Sequence, residues 1–527
     1  MTTYRKILVF LLIVFPLLLS WGPPLASGQS SLPENKVPAR VESQAQRLVA
    51  GLKKQGFEIS EGYFRLYTQD DCSYSFEAMG TCYFNNPAAP YVIYAVPPWS
   101  NEYVDPATLL AFGQNEPGYS TSFRFDPREA VVILGTLPPP AKYFGLQSYI
   151  FTRQGKYDTD SLPYQFFETV DPNILSTFFS VVPENDKRVQ LFASLSNSIN
   201  HVVIEDQSGA AFNQDRVFII TPDQFMSKTI RAALAKLSVE EKDIFTEPIP
   251  GNLRIGPNKR SDDFASFIRY SMPDVEADAD QWRNDLPLRV FRIRDTRPGR
   301  KAEPYPPVKL DTRTAKSELY LKPDLFNLVD AVSQKWGMPP CTDDECADRA
   351  QWFYRLQLPP IDVVGPRCTE IGMNCLGDTG DAVYQGTANL LLDEDTVYAV
   401  AGTLGTQTDN ATYVGLGLNA SMRKFGFENI PHTELIGTAN AYDSQVANTD
   451  KFFLAYIARS CTGLEELTQG SQCYEVSEET LPPCDDLTNT ICDALKISLR
   501  DYIRPGTQRG PAALLKLHST VITLHRP

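Results

Sequence analysis

The stretch FRFDPREAVVILGTL (Phe123–Leu137) is answered 267 residues later by LLLDEDTVYAVAGTL (Leu390–Leu404). Asp126 and Asp393 each stand nine residues before a glycine, Gly135 and Gly402, and Gly-Thr-Leu closes both copies. Tyr-x-Gly-Leu follows each phrase, at Tyr143–Leu146 and Tyr413–Leu416. Further on, NQDRVFII from Asn213 is matched by NTDKFFLA from Asn448. After these come Thr221-Pro222-Asp223-Gln224 and Thr462-Gly463-Leu464-Glu465, each with the form of a helix capping box. Three matches in the same order predict an internal duplication.

Each copy reads as closely spaced β-rich runs with one helix. Ala130–Leu134 is expected to pair with Tyr143–Phe151, and Val397–Val400 with Tyr413–Leu418, across short connections. Later strands are expected at Val217–Thr221, Phe264–Tyr270 and Leu288–Ile293, and at Phe452–Ile457 and Leu514–Leu524. Neighbouring strands with segregated helices predict an α+β fold: two tandem related halves, each a mainly antiparallel sheet with one or two packed helices and disulfide-stapled loops. The expected boundaries are 59–294 and 324–527, joined by a charged, proline-rich linker over 295–323. An N-terminal segment, 29–58, carries Val41, Ala45, Leu48, Val49 and Leu52 at helical spacing. Leu325, Leu328, Val329 and Val332 mark a second amphipathic helix around Asp324–Trp336.

Residues 1–28 have the layout of a secretory signal peptide: Arg5 and Lys6, an apolar run from Ile7 to Trp21, then Ala26, Ser27 and Gly28. The apolar run holds Pro16 and is short of the roughly 20 residues a bilayer span requires, which disfavours the alternative of an uncleaved anchor. Cleavage would leave 47 Lys and Arg against 64 Asp and Glu, a net charge of −17. That surface repels phosphate backbones, so nucleic acid is excluded as an expected partner. The chain is read as secreted or extracytoplasmic, with no integral span after signal cleavage and an extracellular small molecule or polymer as its partner.

The ten cysteines form local couples that fit an oxidising compartment: Cys72/Cys82, Cys341/Cys346, Cys368/Cys375, Cys461/Cys473 and Cys484/Cys492. Asn410 and Asn419 begin glycosylation sequons, relevant to a eukaryotic source alone.

Catalytic motifs are sparse. CLGDTGDAVY (Cys375–Tyr384) places Asp378 and Asp381 three residues apart on a glycine-containing loop. Such carboxylates could serve as an acid and a base, bind a hard cation such as Ca2+, or cap their own turns. No other cofactor is indicated. His201, following Ser194, Ser196 and Ser198, and His432, following Pro431, are the remaining candidate catalytic side chains. Asp343, Asp344 and Glu345 form an acidic cluster that could also hold Ca2+. Aromatic bursts at Tyr91, Tyr94 and Trp99, and at Trp352-Phe353-Tyr354 before Pro359-Pro360, read either as core or as a stacking platform, and as a fourth element of the repeat. The expected site is the cleft between the halves, where the Cys375–Tyr384 loop meets the Tyr119–Arg128 region. Two functions fit: a hydrolase acting on an extracellular glycan, ester or polymer, and a non-catalytic binding or structural module using its aromatic surfaces.

Overall fold

The computed structural model describes residues 35–527 except 171, 343, 344, 346–348, 356, 358–362 and 484–492. The expected signal peptide, Asp343, Asp344, Cys346, Pro359, Pro360, Cys484 and Cys492 therefore lie outside the described residues.

In the N-terminal half the strands are β1 (Phe57–Tyr67), β2 (Tyr91–Ala95), β3 (Glu129–Thr136), β4 (Ala141–Gln154), β5 (Val181–Val182), β6 (Asn185–Ser194), β7 (Ile199–Asn200), β8 (Asp215–Thr221), β9 (Ile244–Pro248), β10 (Phe264–Pro273) and β11 (Leu288–Asp295). The C-terminal half contributes β12 (Ala350–Trp352), β13 (Tyr354–Arg355), β14 (Ala382–Gly386), β15 (Thr396–Thr403), β16 (Tyr413–Ala420), β17 (Phe425–Pro431), β18 (Phe452–Ala458), β19 (Cys473–Glu475), β20 (Leu495–Tyr502) and β21 (Thr520–His525).

Strand β1 belongs to two layers. Its first six residues pair with β11, and from Tyr63 onward it pairs with β2. Gly62 sits at the switch, where a Cβ would lie 2.4 Å from the Ala95 carbonyl oxygen, so the crossing requires glycine. One layer then runs β1-β11-β3-β8-β9 and the other β1-β2-β10-β4-β6-β5, with β7 beside β4. In the C-terminal half the layers are β12-β21-β15-β18-β19 and β13-β14-β20-β16-β17. Apart from β5 and β7, which have no counterpart, the orders correspond, with β12 and β13 in the place of the divided β1. Pairing is antiparallel throughout except β8 with β9 and β18 with β19, which hold the same place in each half.

Helices close the outer faces. Ala39–Lys54 and Gln224–Ala235 bury Val41, Leu48, Ile230 and Leu234 against Val217 and Ile219. Lys322–Lys335 lays Leu325, Leu328, Val329 and Val332 on Val397 and Leu454. At roughly 1.5–3 kcal/mol per buried aliphatic side chain, these apolar stripes fix the helices to their sheets.

The repeated phrase has a local cause in both halves. The carboxylate of Asp126 accepts the Arg128 N–H at 2.9 Å, and that of Asp393 accepts those of Asp395 and Thr396 at 3.1 and 2.7 Å. Each aspartate turns the chain into a strand. The matched glycines then mark close approaches: a Cβ on Gly135 would stand 2.3 Å from the Pro287 carbonyl oxygen, and one on Gly402 2.3 Å from Ser519 Oγ. Gly135→Ala is expected to cost about 2 kcal/mol or more, because a backbone atom must move to admit the methyl group. A urea unfolding midpoint equal to wild type would refute that contact.

Several expectations are corrected. Strand β3 does not pair with β4. It lies between β11 and β8, while β4 lies between β10 and β6, so each phrase and its Tyr-x-Gly-Leu strand enter different layers. Likewise β15 pairs with β18 and β21, and β16 with β17 and β20. Thr221 is not the helix cap: Asp223 is, accepting the Phe225 N–H, while Thr221 Oγ1 binds inward to the Glu129 carbonyl. The second capping box yields the four-residue helix Glu465–Thr468 with no side-chain cap. Residues 514–519 precede β21 instead of belonging to it, so His518 is not on the strand that ends at His525. Within 295–323, the Glu303 N–H bonds the Asp223 carboxylate, which also pairs with Arg300, and the Lys316 N–H bonds Asn410 Oδ1.

Disulfides join Cys72–Cys82, Cys368–Cys375 and Cys461–Cys473. No helix among the described residues is long and apolar enough to cross a membrane. Both sequon asparagines are buried: Asn410 donates to the Lys316 carbonyl and Glu318, and Asn419 to the Lys496 carbonyl, which leaves no room for a glycan in the folded state.

Candidate functional site

Two loops exchange places across the junction of the halves. Each is pinned by a disulfide to a short helix, Asp71–Met79 or Gly365–Ile371, and each leads into a corresponding strand, β2 or β14. Immediately after Cys82, Tyr83 and Phe84 have φ of 59° and 51°; after Cys375, Leu376 and Gly377 have φ of 55° and 72°. Left-handed backbone is costly for an aromatic side chain such as Phe84, so the surroundings must hold it there.

They do so from the opposite half. Arg500 Nη2 donates to the Phe84 carbonyl at 2.7 Å, and Arg269 Nη2 to the Gly377 carbonyl at 2.8 Å. The two arginines correspond in register, Arg269 facing Gly145 and Arg500 facing Gly415. Phe84 N–H reaches the Lys424 carbonyl, and Gly377 N–H reaches that of Phe192. Lys424 and Phe192 also share positive φ.

The residues proposed as catalytic carboxylates belong to this exchange. Asp378 accepts Ser194 N–H at 2.9 Å, Ser194 Oγ–H at 2.8 Å and Gly365 N–H at 3.0 Å. Burial raises its pKa, opposed by those three bonds and by Arg269. Asn85 makes the corresponding contact with Gly426, accepting its N–H at 2.9 Å and donating to its carbonyl at 3.2 Å. Asp381 is fully buried and accepts from Tyr143 Oη at 3.0 Å, Asn200 Nδ2 at 3.1 Å and Thr379 Oγ1 at 2.7 Å.

The two histidines take matching positions instead of joining the aspartates. His201 opens the helix His201–Ser208 with its ring 6.4 Å from that of Tyr143, and His432 opens His432–Leu435 with its ring 6.1 Å from Tyr413. Burial lowers both pKa values. Among the described residues neither histidine is hydrogen-bonded to Asp378 or Asp381. The serines before His201 are engaged elsewhere: Ser194 with Asp378, Ser196 with Glu247, and Ser198 with the Leu146 carbonyl. Nor do the described residues contain a group of three or more His, Cys, Asp or Glu side chains fit to hold a metal. The Cys375–Tyr384 loop meets Phe192, Ser194 and Tyr143, whereas Phe123 and Arg124 pack within the N-terminal half on Phe264 and Asp263; the expected partner region was misplaced.

What opens at the junction is a cavity of about 430 Å³. Its cationic wall holds Arg269, Arg355, Lys424, Lys496 and Arg500, faced among the described residues by one acid, Asp378. Phe84, Phe166, Phe167, Trp352, Phe353 and Tyr384 supply apolar surface. Sequence reading reached part of this wall through Tyr91 and the Trp352–Tyr354 burst. It missed the cations, which are scattered over four segments, with Lys496 and Arg500 together on β20. It also equated the two bursts, although Tyr91 lies in β2 and Trp352 in β12, which hold different places in the two orders.

No known protein family matches the chain, and no curated protein does. Among solved structures, the VPA0106 protein from Vibrio parahaemolyticus is similar at 9% identity with a TM-score of 0.33, over 87% of this chain and 98% of that one. A likeness so weak carries no functional argument.

Proposed function

We propose that the chain is an extracytoplasmic ligand-binding protein, built by tandem duplication of one α+β unit, whose ligand occupies the cavity between the halves. The observation that carries this reading is the cavity itself, since its volume falls within the usual range for small-molecule sites and its walls join aromatic faces to a few polar groups. Duplication is supported by the matched strand orders, the corresponding disulfides, the paired left-handed residues and the corresponding Arg269 and Arg500. Export is supported by the three disulfides and by the leader-like residues 1–28.

The hydrolase reading keeps one support, that Asp378 lines the cavity. Its oxygens are occupied by Ser194 and Gly365, however, and it has no histidine partner among the described residues, which suits a structural brace better than an acid catalyst.

Ser498→Phe should fill the cavity. Small aromatic fragments are expected to show saturation-transfer NMR signals with the wild type and to lose them in this variant, with Ser421→Phe as a second filling variant and circular dichroism as the folding control. Undiminished signals in both folded variants would exclude the cavity as the binding site.

A further inference from the structure

Corresponding positions of the two halves have been put to opposite uses. In the N-terminal half Tyr149, Phe151, Phe192, Ala265, Phe267 and Ile93 belong to one buried apolar cluster. Their rings pack closely: Phe112 lies 4.6 Å from Phe151, Tyr149 5.0 Å from Phe192, and Phe192 5.6 Å from Phe267. The space left among Tyr67, Tyr83, Phe112, Phe192 and Phe267 is about 20 Å³. Register and count along the strands place Asn419, Ser421, Lys424, Lys496, Ser498 and Gly386 at the corresponding positions of the C-terminal half. All six line the large cavity. A core of aromatic side chains on one side is replaced on the other by small, polar and cationic ones, and the space they vacate is where the cavity opens.

Resting on the cavity as the ligand site, we infer that its ligand is a small organic anion: a carboxylate, sulfonate or phosphate carried on a flat apolar body. Five of the six charged residues described in the wall are cationic, in a chain whose net charge is −15. Four of these cations donate to carbonyl oxygens, which neutralise no charge: Arg269 to Gly377, Arg500 to Phe84, Arg355 to Lys516 and Lys496 to Thr387. Arg500 Nη1 and Arg355 Nε are buried with no hydrogen-bond partner among the described residues. Lys424 has Asp493 in its neighbourhood, but that carboxylate is bound by Arg423 at 2.9 Å. Asp378, the acid in the wall, is bound by Ser194 and Gly365. Arg269, Arg355, Lys424 and Arg500 are partly desolvated and form no ion pair among the described residues, which is costly, and an anion entering the cavity would relieve that cost while forming charge-assisted hydrogen bonds. The aromatic walls leave an apolar slot for the rest of the molecule.

Matched probes separate the claim about charge from the claim about the cavity. 2-Naphthoate, naphthalene-2-sulfonate and 2-naphthyl phosphate share their ring system with neutral 2-naphthamide. Calorimetric titration of the wild type is expected to show at least one of the anions binding about tenfold or more tightly than the amide, with the margin narrowing as salt is raised. The ranking among the three identifies the anionic group. Lys424→Gln should narrow the ratio of anion to amide affinity, and Ser498→Phe should abolish binding of all four. If the amide binds as tightly as every anion, and Ser498→Phe abolishes both, the cavity stands as the site and the anion assignment is overturned. Binding that survives Ser498→Phe in a correctly folded protein overturns the site itself, and a wild type that binds none of the four probes counts against both claims.

Discussion

Asp378→Ala is expected to lower the folding stability at neutral pH by about 3–5 kcal/mol, among the largest effects of any single polar substitution in the chain. The carboxylate is 4% exposed and accepts three hydrogen bonds, two from Ser194 in the opposite half and one from the Gly365 N–H. Alanine leaves all three donors without their carboxylate acceptor, and the cavity that Asp378 lines lets water replace part of it. Each orphaned buried donor costs roughly 1–3 kcal/mol, and partial rehydration from the cavity keeps the total in the lower part of the resulting range. Asp378→Asn should cost less, because one amide oxygen can still accept. Asn85→Ala breaks the corresponding contact with Gly426 and should be milder than Asp378→Ala, since the group removed is neutral and binds a single residue. Urea unfolding followed by tryptophan fluorescence measures all three. An Asp378→Ala protein with wild-type stability would show that the crossing loop is held by other contacts, and would return Asp378 to consideration as a chemical group.

Local and covalent features of this arrangement were legible in the sequence, and the long-range ones were not. The phrase at Phe123–Leu137 could be matched to its later copy because both aspartates cap the turn ahead of their own strand, and both glycines face a neighbouring strand with no room for a methyl group. The helix stripes at Val41–Leu52 and Leu325–Val332 could be read for a similar reason, since the 3.6-residue period is contained within the helix. Strand partners are a different matter. The nearest β-rich run was assigned as the partner of β3, whereas its true neighbour β11 lies some 150 residues further on, and a strand's own residues do not encode such a distance. Arg269 and Arg500 illustrate the limit at the site. Their roles are the same, but the flanking sequences, FIRYSM and SLRDYI, share little beyond the arginine. Asp378 and Asp381 drew attention as paired carboxylates. Spacing alone could not reveal that Ser194 and Tyr143, on strands far away in sequence, would occupy their oxygens.

The two halves differ in where they tolerate unfavourable groups. The N-terminal aromatic cluster maximises packing, while its C-terminal counterpart gives up that packing to hold cations around open space. A site of this kind is maintained at the expense of stability, and strand β20, which supplies Lys496, Ser498, Arg500 and Tyr502 to the cavity, should carry other strained residues.

Asp501 is such a residue, and its replacement should stabilise the protein. It is fully buried on β20 between Arg500 and Tyr502, and neither carboxylate oxygen has a hydrogen-bond partner among the described residues. Lys516 Nζ stands 3.4 Å away but lies closer to Glu318, at 2.6 Å, and Glu318 also gathers Thr403, Thr408, Asn410 and the Leu517 N–H. Burial pushes the Asp501 pKa up to about 6, even with the attraction of Lys516 included; Glu318 adds repulsion in the same direction. The folded state therefore binds this proton more tightly than the unfolded chain, whose aspartates titrate near 3.9. The associated stability is fully present below that value and is lost as pH rises through 6. A proton affinity raised this far means that the ionised carboxylate destabilises the fold by roughly 3 kcal/mol at neutral pH. Asp501→Asn keeps the shape and removes the charge, leaving Lys516 paired with Glu318. It should raise stability by up to about 3 kcal/mol at pH 7.5, and the gain should shrink to about 1 kcal/mol at pH 4.5, where the wild-type carboxyl is already protonated in the fold. Urea unfolding at the two pH values decides the matter. A variant less stable than wild type at pH 7.5 would mean that the ionised Asp501 is a net attractive partner of Lys516, and that β20 carries no such strain behind the cavity.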